Sequence, residues 1–269
     1  MMSIKGNIIF IGGGNMAKAI INGLLENNYS KESILVIDSS AKQLQTIKNE
    51  YAVNTASVLG NINKSDLIIL ATKPDKICEV CNNIKDKIDE HLIISIAAGI
   101  SISKISYWLR NHKNIVRTMP NLLGKIKRSV TGLCAHKELH PTHKEIANNI
   151  MESIGKNLWL DNESKIDAVT AISGSGPAYV FYFLNSLIES GKKIGLSKEE
   201  AQFFAKETLI GSAIMSEDHI NDLDTLIKSV SSKGGTTEEA INVMKNHQFD
   251  KIISIAVNEA FKRSKEIGS

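Results

Sequence analysis

Short apolar runs recur along the chain as far as Asp161, each ended by glycine, proline or a small polar residue. Ile8-Ile9-Phe10-Ile11 opens the series, and the runs at 34–37, 67–71, 92–96 and 115–119 repeat it. Such runs are continuous rather than alternating, which predicts strands buried on both faces. Past the first run, Met16, Ala17, Ile20, Ile21, Leu24 and Leu25 fall on one helical face, with Lys18, Asn22 and Glu26 opposite. After Pro74, the residues Ile77, Cys81, Ile84 and Ile88 mark a second helix. Residues 130–135 and 157–160 predict later strands, and between them Ile146, Ile150 and Ile154 mark a helix stopped by Gly155.

Beyond Asp161 the rhythm changes. No strand-length apolar run is set off by turns, and residues 166–267 show helical patterning in several pieces. Ser197-Lys198-Glu199-Glu200 is a capping-box start leading into Ala201, Phe204, Ala205, Thr208 and Leu209 on one face, and a last helix is expected over 250–265. The architecture expected is an α/β Rossmann-like N-terminal domain, residues 1–161, followed by an all-α C-terminal domain, residues 162–269. The helical part is too apolar for a solvated tail, so self-association is expected of it.

The first strand runs straight into Gly12-Gly13-Gly14, and Gly12, Gly14 and Ala17 fill the G-x-G-x-x-G/A dinucleotide pattern. The first glycine permits the tight turn, the second admits a pyrophosphate close to backbone, and the small third residue packs helix on strand. Unpaired N–H groups of the helix's first turn then face the phosphates. Asp38 follows the second strand at about the ~20-residue spacing at which an acid meets the ribose 2′-hydroxyl of NAD. Ser39, Ser40 and Lys42 could instead hold the 2′-phosphate of NADP, and a plain turn role for Asp38 is the third possibility. Lys73 could reach the cofactor or be a solvated strand-end lysine. Ala97-Ala98-Gly99 allows close backbone approach at the sheet's carboxyl edge.

Composition narrows the partners. A chain of 269 residues has room for two domains, and a formal charge of +3 from 32 Lys+Arg and 29 Asp+Glu gives no reason to expect nucleic acid or membrane. No apolar run approaches the ~18 residues of a membrane span. Residues 1–7 lead directly into the first strand rather than into a signal peptide, so a cytoplasmic protein is expected. Three cysteines fit a reducing compartment. In Cys78-Glu79-Val80-Cys81, Cys81 lies on the apolar helix face and no second C-x-x-C completes a zinc site, so no metal is expected. Pro141 interrupts the helix that would align His136, His140 and His143, and Lys125, Lys127 and Arg128 read as a solvated face.

Two segments of the helical half suit a ligand. Ser173-Gly174-Ser175-Gly176-Pro177-Ala178-Tyr179 places glycines before a proline fit for a helix's first turn. Ser231-Ser232-Lys233-Gly234-Gly235-Thr236-Thr237-Glu238-Glu239 does likewise, with Thr236 and Glu239 at capping-box spacing. Ordinary capping accounts for each, yet glycines flanked by hydroxyls at a helix N-terminus make a natural carboxylate site.

Taken with IGGGNMAKAI, ATKP, SIAAGIS, VRTMPN, DAVTAISGSGPAYVF and FDKIISIAVNEAFKRSKEIG, these segments resemble the pyrroline-5-carboxylate reductases over nearly the whole chain. The resemblance implies a Rossmann domain binding NADP(H) or NAD(H) and an all-helical dimerisation domain, the homodimer assembling into a larger ring. It implies cofactor contacts at Ile11, Gly12, Gly13, Gly14, Asn15, Met16, Ala71, Thr72, Lys73, Pro74, Ile96, Ala97 and Ala98. It places the carboxylate of 1-pyrroline-5-carboxylate or L-proline at Ser232, Gly235, Thr236 and Thr237, with Thr237 as the catalytic hydroxyl at the imine nitrogen. The sequence departs from the family pattern at Leu122-Leu123, Lys127-Arg128 and Lys233, and at 220–223, where Glu-His-Pro is usual. A related Rossmann hydroxy-acid or imine dehydrogenase and a silent dinucleotide-binding regulatory homologue are the rival expectations.

Overall fold

The computed structural model describes residues 6–217 and 222–268, so the N-terminal reading at 1–5 and the departures at Ile220 and Asn221 lie outside the described residues. Its N-terminal half alternates β1 (Ile8–Ile11), α1 (Asn15–Glu26), β2 (Ile34–Ile37), α2 (Ala41–Tyr51), β3 (Asn54–Ala56), β4 (Leu67–Leu70), α3 (Ile77–Ile84), β5 (Leu92–Ser95), α4 (Ile102–Trp108) and β6 (Ile115–Met119). Then come β7 (Ser129–Ala135), α5 (Pro141–Glu152) and β8 (Gly155–Trp159). The strands form one sheet in the order β3-β2-β1-β4-β5-β6-β7-β8. Every pairing is parallel except β6 with β7.

The continuous apolar runs follow from helices covering both sheet faces. Ile8 and Phe10 join one buried cluster with Ile20 and Ile21 of α1, whereas Ile9 and Ile11 join the other with Ile77 and Cys81 of α3. Each such side chain contributes roughly 1.5–3 kcal/mol on burial, so neither face of β1 tolerates a polar residue cheaply. Chain order reverses between β1 and β4, and in open α/β sheets ligands bind beyond the strand ends at such a reversal.

The structure adds to or changes the sequence reading at three places. β3 has no apolar run, because Asn54-Thr55-Ala56 is a partly exposed edge strand. Gly155 does not stop the helix before it, since α5 ends at Glu152. It opens β8 at φ +150°, where an added Cβ would lie 2.1 Å from the Ser129 carbonyl oxygen. After α6 (Lys165–Val169), residues Thr170–Gly174 form a π-helical turn rather than a glycine loop. The chain continues through α7 (Gly176–Lys193), α8 (Lys198–Met215), α9 (Leu223–Ser229), α10 (Thr236–Asn246) and α11 (Phe249–Ile267).

The described residues up to Ser175, with those from Ala260 onward, form one compact unit, and Gly176–Glu259 form a second. This division differs from the boundary expected between 161 and 162. The segment after 161 stays with the sheet because Arg117 on β6, its side chain 3% exposed, pairs with Glu163 at 3.0 Å and Asp167 at 2.9 Å. Glu163 also accepts the Ile102 N–H at the start of α4 (2.7 Å), and Ser264 of α11 donates to Asp167 (2.9 Å).

In the second unit, the capping box expected at Ser197 and Glu200 is present, and Gly191 packs closely on Ala201. Most large apolar residues of this unit remain exposed, Phe181, Tyr182, Phe203, Phe204, Ile214 and Ile252 among them. An apolar surface of that extent marks an association site. Among the described residues no helix is long and apolar enough to cross a membrane.

Candidate functional site

At the end of β1 the chain turns through Gly12 at φ +102°, a left-handed geometry that only glycine adopts freely. The Gly12 N–H donates to the Ile37 carbonyl at 2.8 Å, tying the turn to β2. Gly14 is the N-cap of α1, and nothing lies within 4 Å of the position a Cβ would take. Ala17 is buried against the sheet. Gly12 thus makes the tight turn and Ala17 the close helix–sheet packing that the spacing implies, and Gly14 leaves open space beside the first turn of α1.

The Gly13 peptide is held from both sides. Its N–H donates to Asp38 Oδ2 at 2.8 Å, and its carbonyl accepts from Gln43 Nε2 of α2. Asp38 Oδ1 accepts the Ser40 N–H at 2.8 Å, and the Ser40 hydroxyl caps α2 by accepting the Gln43 N–H. Of the readings open for Asp38, the turn role is therefore present, with the carboxylate still at the edge of the ligand crevice.

That crevice, about 620 Å³, is lined by Ile11, Gly12, Gly13 and Gly14 on one side and by Ala71, Thr72 and Lys73 on another. Asn15, Met16, Pro74, Ile96, Ala97 and Ala98 are not part of its wall. Asn15 and Met16 open α1, Pro74 opens a short 3-10 turn, and the Ile96 N–H donates to the Leu70 carbonyl at the next strand end. Residues missed in the sequence complete the wall, including Ser57, Val58, Leu59, Val80 and Asn83. Val58, 74% exposed, offers an apolar surface of the kind a flat aromatic base covers. Thr72 Oγ1 is buried in this wall with no hydrogen-bond partner. A glycine turn with open space at Gly14, exposed helix amides and an unmatched hydroxyl together fit a dinucleotide.

The MPN and SGSG segments also meet within the sheet unit. Asn121 Nδ2 donates to the Ser173 hydroxyl (3.0 Å) and carbonyl (3.2 Å), and Ser173 donates to the Val130 carbonyl (3.0 Å). A Cβ at Gly174 would stand 2.6 Å from Cε at the end of the flexible Met119 side chain, so Gly174 packs directly against the MPN segment. π-helical turns occur often at functional sites.

In the helical unit, the Gly235 N–H donates to the Ser232 carbonyl at 2.9 Å, and a Cβ on Gly235 would meet Ser232 Oγ at 2.5 Å. Ser232, Gly235, Thr236 and Thr237 are thereby gathered at the N-terminus of α10. The expected Thr236–Glu239 capping box is not formed. Gly235 is the N-cap, so Thr236 lies one position inside the helix, and the Gly234 N–H donates to Glu238 Oε2 at 2.6 Å instead. Without a side-chain cap, the first-turn amides of α10 remain available as anion donors.

The histidine and cysteine motifs play structural parts, and of the Cys78–Cys81 segment only Glu79 and Val80 reach the crevice wall. His140 caps α5, and burial holds His143 below its ordinary pKa. Cys78 is exposed, whereas burial pushes the Cys81 thiol up to about 12 and raises Cys134 as well. One fast-reacting thiol per folded chain is expected with Ellman's reagent at pH 8. Two or three would show that the α3 face is not closed.

Two family models match the chain: pyrroline-5-carboxylate reductase dimerisation over residues 163–267, and NADP oxidoreductase coenzyme F420-dependent over 7–99. Pyrroline-5-carboxylate reductase of Pseudomonas aeruginosa is 36% identical over 262 residues, spanning 97% of this chain and 96% of that protein. Among solved structures, a pyrroline-5-carboxylate reductase from Coxiella burnetii superimposes with a TM-score of 0.86 at 34% identity, covering 98% of this chain and 99% of that one. Plasmodium falciparum pyrroline carboxylate reductase with NADP bound gives 0.89 at 31% identity, covering 100% of both chains.

Proposed function

The chain belongs to the pyrroline-5-carboxylate reductase family, and we propose that its two glycine segments divide the reaction, Gly12 to Gly14 holding the cofactor diphosphate and the 232–237 loop the substrate carboxylate. The enzyme reduces 1-pyrroline-5-carboxylate to L-proline with NAD(P)H, which completes proline biosynthesis. When bound, the nicotinamide supplies a hydride to the imine carbon. Everything else falls to the chain's own residues.

The N–H groups opening α1, at Asn15 and Met16, would donate to the cofactor phosphates beside Gly14, and Ala71, Thr72 and Lys73 would confine the nucleotide from the β4 side, with Pro74 setting the turn that follows them. After β5, Ala97 and Ala98 carry no bulk that would bar backbone approach, and Ile96 precedes them, tied by its N–H to the Leu70 carbonyl. In the helical unit, Ser232, Gly235 and Thr236 offer hydroxyl and amide donors to the carboxylate. Thr237 hydrogen-bonds the imine nitrogen and relays a proton from water to it. The imine is basic enough for this to suffice without a buried acid. Most of the rate then comes from orientation, which supplies up to ~7–11 kcal/mol for well-placed reactants.

The observation that carries the cofactor half is the Gly12 turn with its doubly held Gly13 peptide. Thr237→Ala tests the substrate half. Its kcat is expected to fall about 100-fold, the lower end for a positioned proton donor because water can substitute in part. Cofactor affinity should stay within twofold. Equal loss of cofactor binding would remove Thr237 from the substrate end, and turnover of a hydroxy acid rather than the cyclic imine would favour the related dehydrogenases.

The exposed apolar helices support a homodimer assembling into a larger ring, and three free cysteines support a cytoplasmic location.

A further inference from the structure

We propose that this reductase takes NADH in preference to NADPH and that Asp38 sets the choice, a proposal that rests on the assignment of the crevice to the dinucleotide. Asp38 closes β2 and stands on the crevice wall beside Ser39. Its two oxygens each accept one backbone N–H, from Gly13 and from Ser40, both at 2.8 Å. An ionised carboxylate only accepts, and it has about four acceptor directions, so two remain for further donors. A ribose 2′-hydroxyl is such a donor. A 2′-phosphate in the same place brings negative charge against negative charge.

The carboxylate has nowhere to retreat. Gly13 is buried, and its N–H would lose its partner if Asp38 turned away to admit a phosphate. Nor do the nearby cations form a phosphate site. Lys76 on the wall lies 3.1 Å from Glu79, and Lys87 donates to the carbonyls of Leu59 and Gly60. Lys73 follows β4, which β1 separates from β2 by two strand spacings, roughly 10 Å. Lys42 is exposed on α2 and is not part of the wall. The Ser40 hydroxyl is engaged in capping α2, which leaves Ser39 as the free hydroxyl beside Asp38.

The test titrates the full-length enzyme with NADH and with NADPH, without substrate, following nicotinamide fluorescence at fixed ionic strength. The wild type is expected to bind NADPH at least tenfold more weakly than NADH. Asp38→Asn removes the charge while keeping one acceptor for Gly13, and should bring the ratio below threefold. Should that variant fail to fold by circular dichroism, Ser39→Arg leaves the clamp intact and should raise NADPH affinity at least tenfold. Equal or tighter NADPH binding by the wild type overturns the proposal, as does an unchanged ratio in the folded variants. Failure of both nucleotides to bind would instead overturn the cofactor assignment beneath it.

Discussion

Alanine in place of Gly12 is expected to weaken cofactor binding at least 100-fold and to destabilise the sheet unit by about 2–4 kcal/mol. A left-handed φ costs a residue other than glycine roughly 1–3 kcal/mol, and Gly12 sits at +102°. Sterics add to this, because the new Cβ would lie 2.6 Å from the Ala71 carbonyl oxygen and 2.8 Å from the Thr72 nitrogen. Those are backbone atoms at the end of β4, so no rotamer change relieves the overlap. The β1 and β4 ends must separate, and they carry two walls of the crevice. Gly14→Ala is the contrast, since its Cβ meets nothing within 4 Å. It should leave thermal stability within about 0.5 kcal/mol and still reduce affinity, by filling the space beside the phosphates. Titration of both variants with NADH and NADPH, alongside thermal melts, checks this; wild-type affinity in Gly12→Ala would show that the turn does not hold the cofactor.

Arg117→Ala should destabilise the sheet unit by about 3–5 kcal/mol, the usual cost of removing one partner from a buried ion pair. The guanidinium bridges Glu163 and Asp167, and its loss leaves Asp167, 13% exposed, and the partly exposed Glu163 facing each other without a cation between them. Against a total stability of ~5–15 kcal/mol, the change takes a large fraction of the whole. Arg117→Met combined with Glu163→Gln and Asp167→Asn should cost distinctly less, because no charge is then stranded. Urea unfolding followed by tryptophan fluorescence measures both, and a loss below 1 kcal/mol for Arg117→Ala would mean that water reaches the site.

Much of the sheet is legible in the sequence because a strand covered on both faces announces itself as a short apolar run. β3 escapes that signal, since an edge strand such as Asn54-Thr55-Ala56 has little to bury. The glycine turn is legible because Gly12 answers a local steric demand and a strand running straight into a helix leaves little room for other spacings. The rest of the crevice is not. Ser57, Val58 and Leu59 reach the wall through the position of β3, and Gln43 reaches Gly13 across 30 residues of chain, so only the assembled sheet brings them together. At α10 the hydroxyls and glycines are found but the cap is misassigned by one residue, because Gly235 takes the N-cap that Thr236 was expected to fill. Domain limits are harder still: Arg117 binds 162–175 to the sheet through contacts that no periodicity records.

The ion cluster around Asp167 also has an order of assembly. Its serine partner, Ser264, is separated from it by 97 positions along the chain, and the whole helical unit is synthesised in between. A ribosome making this protein therefore exposes a sheet unit one of whose hydrogen bonds waits until Ser264 has been made. Chains stalled or cleaved before Ala260 should be more readily attacked by proteases around 162–175 than finished ones.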